Sequence, residues 1–470
     1  MKIKILFVAS ECAPFAKVGG LGDVLEGLPK ALSASGLDVS IIIPKYEQID
    51  VRRIKAKIIV RNFPVLVGKE HIERINVYQA KLPSCNVRVY FIENEEYLSV
   101  GEIYFERTAF AGTFKEIQRF LFFSNAVKAL LAVKKLDADI VHCNDWHTGA
   151  LVNIIRNNLT SKSSTISPQK TIFTIHNLAN QGIWSSKNIS AWFGPNNFTE
   201  SAGQFNFMAE GIRNADMITT VSESYSKEIL TKQFGEGLEQ LIKKMAVRAR
   251  LTGILNGVDY SMWPVPKRNR AAFQKMLCLA QDKQVPIFGL VARLTYQKGI
   301  NLVEPLAREF AENGSAQFVF LGSGGAKHEK VLLKLARDYP KSIYARIGFD
   351  EKLARRIYAQ SDFFLMPSIF EPSGLGQLIS MHYGTIPIVR ATGGLKDSVD
   401  NSETGFVFNK ADKTSLRSAM KRAIACYKNK ACFKKISECC RERDFSWKRA
   451  SKKYIRVYSK LLKQSKGASI

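Results

Sequence analysis

Pro286–Ile300, PIFGLVARLTYQKGI, is the stretch that decides how this chain is read. Ile287–Ala292 is a short, nearly continuous apolar run, the pattern of a strand buried on both faces of a parallel sheet. Arg293 and Lys298 follow in a loop, and Gly299 closes it. Open parallel sheets bind their ligands in the crevice beyond the strand carboxyl ends. On such a loop a planar guanidinium and a compact ammonium suit a diphosphate. The same two residues also read as ordinary solvated cations, and only the rest of the chain separates these readings.

Working outward, strand and helix patterns alternate on both sides. After Gly299 come helix Val303–Glu312, strand Gln317–Leu321, helix Glu329–Tyr339, strand Ile343–Ile347 and helix Leu353–Gln360. Strand Phe363–Met366 opens onto Pro367–Gln377, which leads into helix Leu378–Tyr383, and strand Ile386–Val389 opens onto Arg390–Gly394. This alternation predicts a parallel, doubly wound sheet, and its Gly-rich turns fall on one edge. Asp397, Asn401 and Gly405–Phe408 are expected to close that sheet. Tyr260–Arg270, rich in Pro and basic residues, reads as a linker.

The first half follows the same plan. Strand Ile3–Ala9 leads to Lys17-Val-Gly-Gly-Leu-Gly-Asp23 and helix Val24–Ala34. Such a glycine turn lets backbone N–H groups approach phosphate or sugar oxygens, although many α/β domains use glycine only to turn tightly. A strand is expected at Val39–Pro44; Ile54–Val65 and Ile75–Ile92 read as strands of the same sheet or an added hairpin, and a helix is expected over Phe105–Lys135. Strand Ile140–His142 opens onto Cys143-Asn-Asp-Trp-His147, and Ile172–Ile175 onto His176-Asn-Leu-Ala-Asn-Gln-Gly182. His142 and His147 lack a third ligand at sensible spacing, so no metal is expected. Strand Asp216–Val221 and Leu251–Asp259, with its Asn-Gly turn, complete this half. The fold expected is α/β, two Rossmann-like domains facing across a cleft.

A length of 470 residues suits two domains rather than one core, and 46% hydrophobic with 24% charged residues is ordinary for a globular protein. No apolar run reaches the roughly 18–20 residues of a membrane span. Met1–Ser10 has a basic start, but its apolar run is short and leads directly into the glycine turn, so it reads as a strand and not a cleaved signal. The 8 cysteines show no CxxC pair, and reduced thiols in a cytoplasmic protein are expected. The formal charge is +27, with 18 Lys and Arg in Lys413–Lys466 against Glu438, Glu442 and Asp444. A basic tail suits nucleic acid or an anionic surface, and it equally suits the solvated faces of Lys-rich helices. No helix-turn-helix, finger or RNA-binding signature accompanies the charge, so neither nucleic acid nor membrane is expected as a partner.

Glu371, in Phe-Glu-Pro-Ser-Gly-Leu-Gly, stands just before a helix whose first amides come from Gly374–Gly376. Those amides suit a distal phosphate, and the carboxylate suits sugar hydroxyls; a carboxylate near a helix start is also a common cap. With Arg293 and Lys298 on the same edge, the set suits transfer of a sugar from a nucleoside diphosphate.

These residues carry a resemblance. Lys17-Val-Gly-Gly, Asn144-Asp-Trp-His, His176-Asn-Leu-Ala-Asn-Gln-Gly, Ile254-Leu-Asn-Gly-Val-Asp259, Arg293-Leu-Thr-Tyr-Gln-Lys-Gly, Phe370-Glu-Pro-Ser-Gly-Leu, Thr392-Gly-Gly-Leu-Lys-Asp and Phe445-Ser-Trp447 occur in that order. The chain resembles the bacterial glycogen synthase and plant starch synthase family over nearly its whole length. That family consists of retaining glucosyltransferases of the two-Rossmann GT-B type. The resemblance implies an N-terminal domain over 1–255, a nucleotide-sugar domain over 256–447, and a basic helix over 448–470 returning to the first domain. It implies glucose transfer from ADP-glucose to the non-reducing 4-hydroxyl of an α-1,4-glucan such as a glycogen primer, with no cofactor or catalytic metal. Carried over by motif, Arg293 and Lys298 neutralise the leaving diphosphate, and Gly374, Leu375 and Gly376 hold its distal phosphate. Lys17, Gly19 and Gly20 contact the donor from the facing domain. His176 and Glu371 hold the glucosyl ring, Asp145 orients its hydroxyls, and Asn256 lies in the cleft. Phe349 stands where many relatives have Tyr against the base, and Tyr104 matches an acceptor- or donor-side tyrosine.

Three departures stand out. Ala209 stands where relatives commonly have Lys, Ser373 where Cys is frequent, and the usual acidic–Asn pair before Arg119-Phe120 is missing. The first leaves UDP-glucose open as the donor. Glu371 and Asp145 also leave open a double displacement beside front-face attack. Another GT-B transferase and a weakly active glucan-binding protein are the other readings.

Overall fold

The computed structural model describes residues 2–68, 71–104, 113–160, 169–194 and 196–466. The chain divides into two compact units. The first holds Met1–Val221, Ser226–Ile254 and Trp447–Ile470, and the second holds Ser222–Tyr225 and Leu255–Ser446.

The first unit begins with β1 (Lys4–Val8), α1 (Gly20–Ala34) and β2 (Asp38–Pro44), then an antiparallel extension of β3 (Lys57–Val67), β4 (His71–Lys81) and β5 (Arg88–Glu93). It continues through α2 (Phe114–Ala132), β6 (Ile140–Asn144), α3 (Gly149–Thr160) and β7 (Lys170–Ile175). A small separate sheet of β8 (Ile183–Ser185), β9 (Glu200–Ser201) and β10 (Gln204–Asn206) encloses α4 (Ser186–Phe193) in sequence. After it come α5 (Phe207–Asn214), β11 (Met217–Thr220), α6 (Glu223–Glu228), α7 (Glu239–Val247) and β12 (Leu251–Gly253). The main sheet has the order β12-β11-β7-β6-β1-β2-β5-β4-β3, parallel from β12 to β5. The order reverses between β1 and β6, so the loops after those two strands share the sheet's binding edge.

Three expectations shift here. The run Ile75–Ile92 is two strands, because Pro83 and the turn around it interrupt the ladder. The helix expected over Phe105–Lys135 is α2, Phe114–Ala132, with Thr113 capping the Glu116 amide at 3.2 Å; residues 105–112 lie outside the described residues. Helix α1 starts four residues earlier than its apolar periodicity suggests, because Gly20–Asp23 carry no signal that separates turn from helix.

The second unit comprises α8 (Arg270–Met276), β13 (Ile287–Val291), α9 (Ile300–Glu312), β14 (Gln317–Gly322), α10 (Ala326–Asp338), β15 (Ile343–Ile347) and α11 (Glu351–Gln360). Then follow β16 (Phe363–Met366), α12 (Gly376–Tyr383), β17 (Ile386–Arg390), α13 (Gly393–Ser398), β18 (Phe406–Phe408), α14 (Lys413–Lys428) and α15 (Lys430–Glu442). Its sheet is parallel throughout, in the order β15-β14-β13-β16-β17-β18. Numbered from its own first strand this is 3-2-1-4-5-6, the doubly wound order, with the switch point between β13 and β16. Phe288 of β13 stacks on Phe318 and Phe363 at centroid distances of 5.4 and 5.1 Å, which fixes the three central strands against one core.

Two local details differ from the sequence reading. Cys426 and Cys432 are paired as a disulfide, not reduced, because the α14–α15 turn brings their Cα atoms to 5.5 Å; the other six cysteines are free. Asp397 does more than close the sheet: its carboxylate accepts from the Ser224 amide at 2.7 Å and hydroxyl at 2.5 Å, which ties Ser222–Tyr225 to the second unit.

The last helix, α16 (Trp447–Lys466), belongs to the first unit and packs on α1. Trp447, Ala450, Tyr454, Tyr458 and Leu461 form its buried stripe, while Lys448, Arg449, Lys452, Lys453, Arg456, Lys460 and Lys463 stand exposed. No helix among the described residues is long and apolar enough to cross a membrane. Gly27 is where α1 and α16 touch: a Cβ there would lie 1.9 Å from the Trp447 indole nitrogen. Helix propensity alone makes Gly27→Ala stabilising by about 0.5–1 kcal/mol. We expect the opposite sign, a loss of about 1–3 kcal/mol from overpacking, read as a lower urea midpoint. A more stable Ala variant would show that α16 does not hold this close approach.

Candidate active site

The binding edge of the second unit is assembled by backbone zipping between the loops after β13 and β16. Gly299 adopts a left-handed φ of 70°, and any Cβ there would meet the Pro367 carbonyl at 2.1 Å, so only glycine lets the two loops meet. The Ile369 amide donates to the Gln297 carbonyl at 2.8 Å, and Gln297 Nε2 reaches the Phe370 carbonyl at 3.4 Å. From β17, the buried Arg390 donates to the Ser368 carbonyl at 2.8 Å and also to Ile369.

This zipping places Lys298 Nζ 2.6 Å from Glu371 Oε2, and Ser368 Oγ donates to the same oxygen at 2.9 Å. Arg293 is exposed and donates to Gln297 Oε1 at 3.3 Å. After Glu371 the chain turns through Gly374, at φ 68°, into α12, whose start has no side-chain cap. Arg293, Lys298, Glu371 and Gly374–Gly376 are thus brought to one switch point. Phe349 is not among them; it follows β15, at the far edge of the sheet from the switch point, and is 89% exposed. Asn256 is buried, and its Oδ1 has no hydrogen-bond partner among the described residues.

In the first unit, the residue that sequence reasoning missed is Glu11. Its buried carboxylate accepts the amides of Val18 and Gly19 at 2.8 and 2.9 Å and the Tyr104 hydroxyl at 2.7 Å. Tyr104 also meets Ser10 Oγ at 2.9 Å. One carboxylate therefore joins Tyr104 to the glycine loop that carries Lys17, Gly19 and Gly20, and Lys17 pairs with Asp23 at 2.6 Å. The signal was its place, directly after the first strand's apolar run. Arg119 acts on the same region from α2. Fully buried, it donates to the carbonyls of Tyr97, Val100, Glu102 and Ile103, just before Tyr104.

At the end of β6, Asp145 has φ 57°, an uncommon conformation for a non-glycine residue. Its Oδ1 accepts the His176 amide at 2.8 Å, and His176 Nε2 lies 3.0 Å from Asn144 Oδ1. Asp145 and His176 are thereby brought together across β6 and β7. His142, weighed above for metal, points into the core instead, between Tyr458 at 2.9 Å and Thr174 at 2.6 Å. Among the described residues, no group of three or more His, Cys, Asp or Glu is placed to hold a metal ion.

Two sheets with switch points and this donor-suited edge define a two-domain α/β glycosyltransferase of the GT-B type. Family comparison agrees: residues 4–244 match the starch synthase catalytic domain, and residues 278–438 match glycosyl transferases group 1. A glycogen synthase of Thermodesulfovibrio yellowstonii is 36% identical, with 98% of both chains covered. One from Exiguobacterium sibiricum is 38% identical over 97% of this chain and 98% of its own. Among solved structures, the catalytic domain of starch synthase IV from Arabidopsis thaliana, bound to ADP and acarbose, superposes with a TM-score of 0.87 at 28% identity. It covers 98% of this chain and 100% of its own. The chain belongs to the glycogen and starch synthase family.

Burial sets the charge states near β6. It pushes the Asp145 carboxyl up to about 7, opposed by the amides of His176 and Asn177. It pushes His142, His147 and His176 down to about 3, and the neighbouring His176 adds to the shifts of the first two. A raised carboxyl loses its stability contribution as pH climbs from about 4 to 7, whereas a depressed imidazole gains one as pH climbs from about 3 to 6.5. Between roughly pH 4 and 6.5 the three imidazoles outweigh the one carboxyl. The urea midpoint of the wild type should therefore rise over that window. Asp145→Asn, which removes the opposing proton, should rise more steeply. Parallel profiles in the two proteins would rule out a protonated Asp145 in the fold.

Proposed function

We propose that the protein is a metal-independent retaining glucosyltransferase that extends α-1,4-glucan from ADP-glucose. The observation that carries this reading is Lys298 held 2.6 Å from Glu371 at the switch point, beside the uncapped start of α12. Breaking the anomeric bond leaves negative charge on the diphosphate and positive charge on the sugar ring. Arg293 and Lys298 meet the first charge, and Glu371 meets the sugar. Amides of Gly374, Leu375 and Gly376 take the distal phosphate, with the helix start favouring an anion. With two cations at the leaving group, no divalent ion is needed for that charge.

The glycine loop with Lys17, Gly19 and Gly20, fixed by Glu11, serves the donor, and Tyr104 serves the sugar side. Asp145 fixes the peptide of His176, whose main chain faces the anomeric carbon. Asn256 and Phe349 serve the nucleotide side. Both carboxylates that a double displacement would use are already engaged, Glu371 by Lys298 and Ser368, Asp145 by backbone amides. That favours front-face attack: the acceptor 4-oxygen bonds to the anomeric carbon as the bond to the diphosphate breaks. The acceptor proton passes to a diphosphate oxygen.

The second reading keeps the reaction and changes the donor to UDP-glucose. Its support is Ala209, buried in the first turn of α5, with its amide capped by Asn206 at 2.9 Å. The next residue, Glu210, is fully buried and pairs with Arg213 at 2.6 Å, so α5 presents no cation where relatives commonly have Lys.

Purified protein in chelator, given a glycogen primer and either donor, tests both readings. Incorporation from ADP-glucose is expected, and a preference for UDP-glucose would move the assignment to the second reading. Glycogen binding with no incorporation from either donor would make this a binding protein. Arg293→Ala and Lys298→Ala should each lower turnover by about a hundredfold or more, the scale seen when one preorganised donor to a developing anion is lost. Near-wild-type turnover in either folded variant would sink the donor-site assignment.

A further inference from the structure

Gln377, in the first turn of α12, is fully buried, yet its side chain does not serve the hydrophobic core. Its Nε2 lies 3.0 Å from the Ser373 carbonyl, 3.1 Å from the Gly374 carbonyl and 3.2 Å from Ser398 Oγ. Ser398, the last residue of α13, donates in turn to the Gly394 carbonyl at 2.6 Å, and the Gly394 amide donates to the Glu371 carbonyl at 3.1 Å. One side-chain amide thus connects both ends of the turn that runs from Glu371 into α12.

The consequence is directional. In a trans peptide the C=O and the following N–H point in opposite directions. Drawing the Ser373 and Gly374 carbonyls toward Gln377 turns the N–H groups of Gly374 and Leu375 the other way. Neither amide has an acceptor among the described residues. Gly374 reaches this geometry with its left-handed φ of 68°, and a Cβ there would lie 2.5 Å from Gln377 Oε1. That Oε1 is itself buried without a partner. An orphaned acceptor in a fully buried side chain is unfavourable, and an apolar residue of the same size would avoid it. Keeping glutamine here has a cost in stability that is explained if the two outward amides are what the position provides.

We propose that Gln377 is a positioning residue that presents the Gly374 and Leu375 amides to the distal phosphate of a nucleoside diphosphate. It thereby sets the preference for a diphosphate over a monophosphate. The inference rests on the donor-site reading above, and the test separates the two. ADP and AMP affinities are measured by calorimetry for the wild type and for Gln377→Met, with thermal melting as the check on folding. The wild type should bind ADP more tightly than AMP. The Met variant should lose on the order of tenfold in ADP affinity with AMP nearly unchanged, a loss of about 1.4 kcal/mol. A wild type with no ADP preference overturns the donor-site reading itself. A Met variant that keeps the full preference, or that loses both nucleotides equally, overturns the role of Gln377 alone. If the Met variant does not fold, Gln377→Leu, which also removes both donors and adds no charge, is read the same way. Amide exchange in the wild type needs no substitution: ADP, and not AMP, should protect Gly374 and Leu375, and no protection by ADP would overturn the proposal.

Discussion

Parallel pairing of β13 with β16 is the constraint on which the second unit's site depends. Phe288 lies opposite Phe363 and Gly289 opposite Phe364, so two strands far apart in sequence end side by side. Crossovers in such sheets take one hand, and the chain must leave β13 toward one flank and return to β16 on the other. The loops after these strands are therefore the pair that no intervening helix covers. Lys298 and Glu371 arrive next to each other for that reason, although 73 positions separate them. The first unit repeats the logic with β1 and β6, whose trailing loops bring the Glu11 carboxylate and Asp145 to one edge.

The two units nevertheless prepare their edges by different electrostatics. In the second, full charges are placed in contact and remain partly open to solvent, as at Lys298 and Arg293. In the first, the polar groups are mostly enclosed, and burial selects their uncharged forms: His142 and His147 stay neutral, Tyr104 holds its proton well above the usual phenol range, and Asp145 moves toward neutrality.

Much of this was legible because it is local. The apolar run Ile287–Ala292, the loop cations after it and the glycine turns each announce themselves within a few residues, and periodicity separates strand from helix. What was not legible depends on distance. Glu11 reads as one more acidic residue until the fold brings Tyr104 to it, and Gln377 reads as a polar position in an amphipathic helix until Ser398 arrives. His142 looked like a possible ligand because nothing in its neighbourhood foretells Tyr458, 316 positions later. The Cys426–Cys432 pair escaped for a related reason, since the sharp turn between α14 and α15 has no glycine or proline to mark it. Phe349 was legible only through a motif match, since its strand lies two positions from the switch point and no local pattern links it to the loops there.

The return of α16 to the first unit bears on how the chain is made. Residues 255–446 form most of the second unit, and the strands entering and leaving it are joined where the Val258 amide donates to the Phe445 carbonyl at 2.8 Å. The first unit's core is incomplete without Trp447, Tyr454, Tyr458 and Leu461, which emerge only after that whole insert has been synthesised. On a ribosome adding roughly 5–20 residues per second, the groove along α1 and the polar ring of His142 stay uncovered for about ten seconds or more. The N-terminal unit is thus the first to start folding and the last to finish, which reverses the usual order for a chain of two domains.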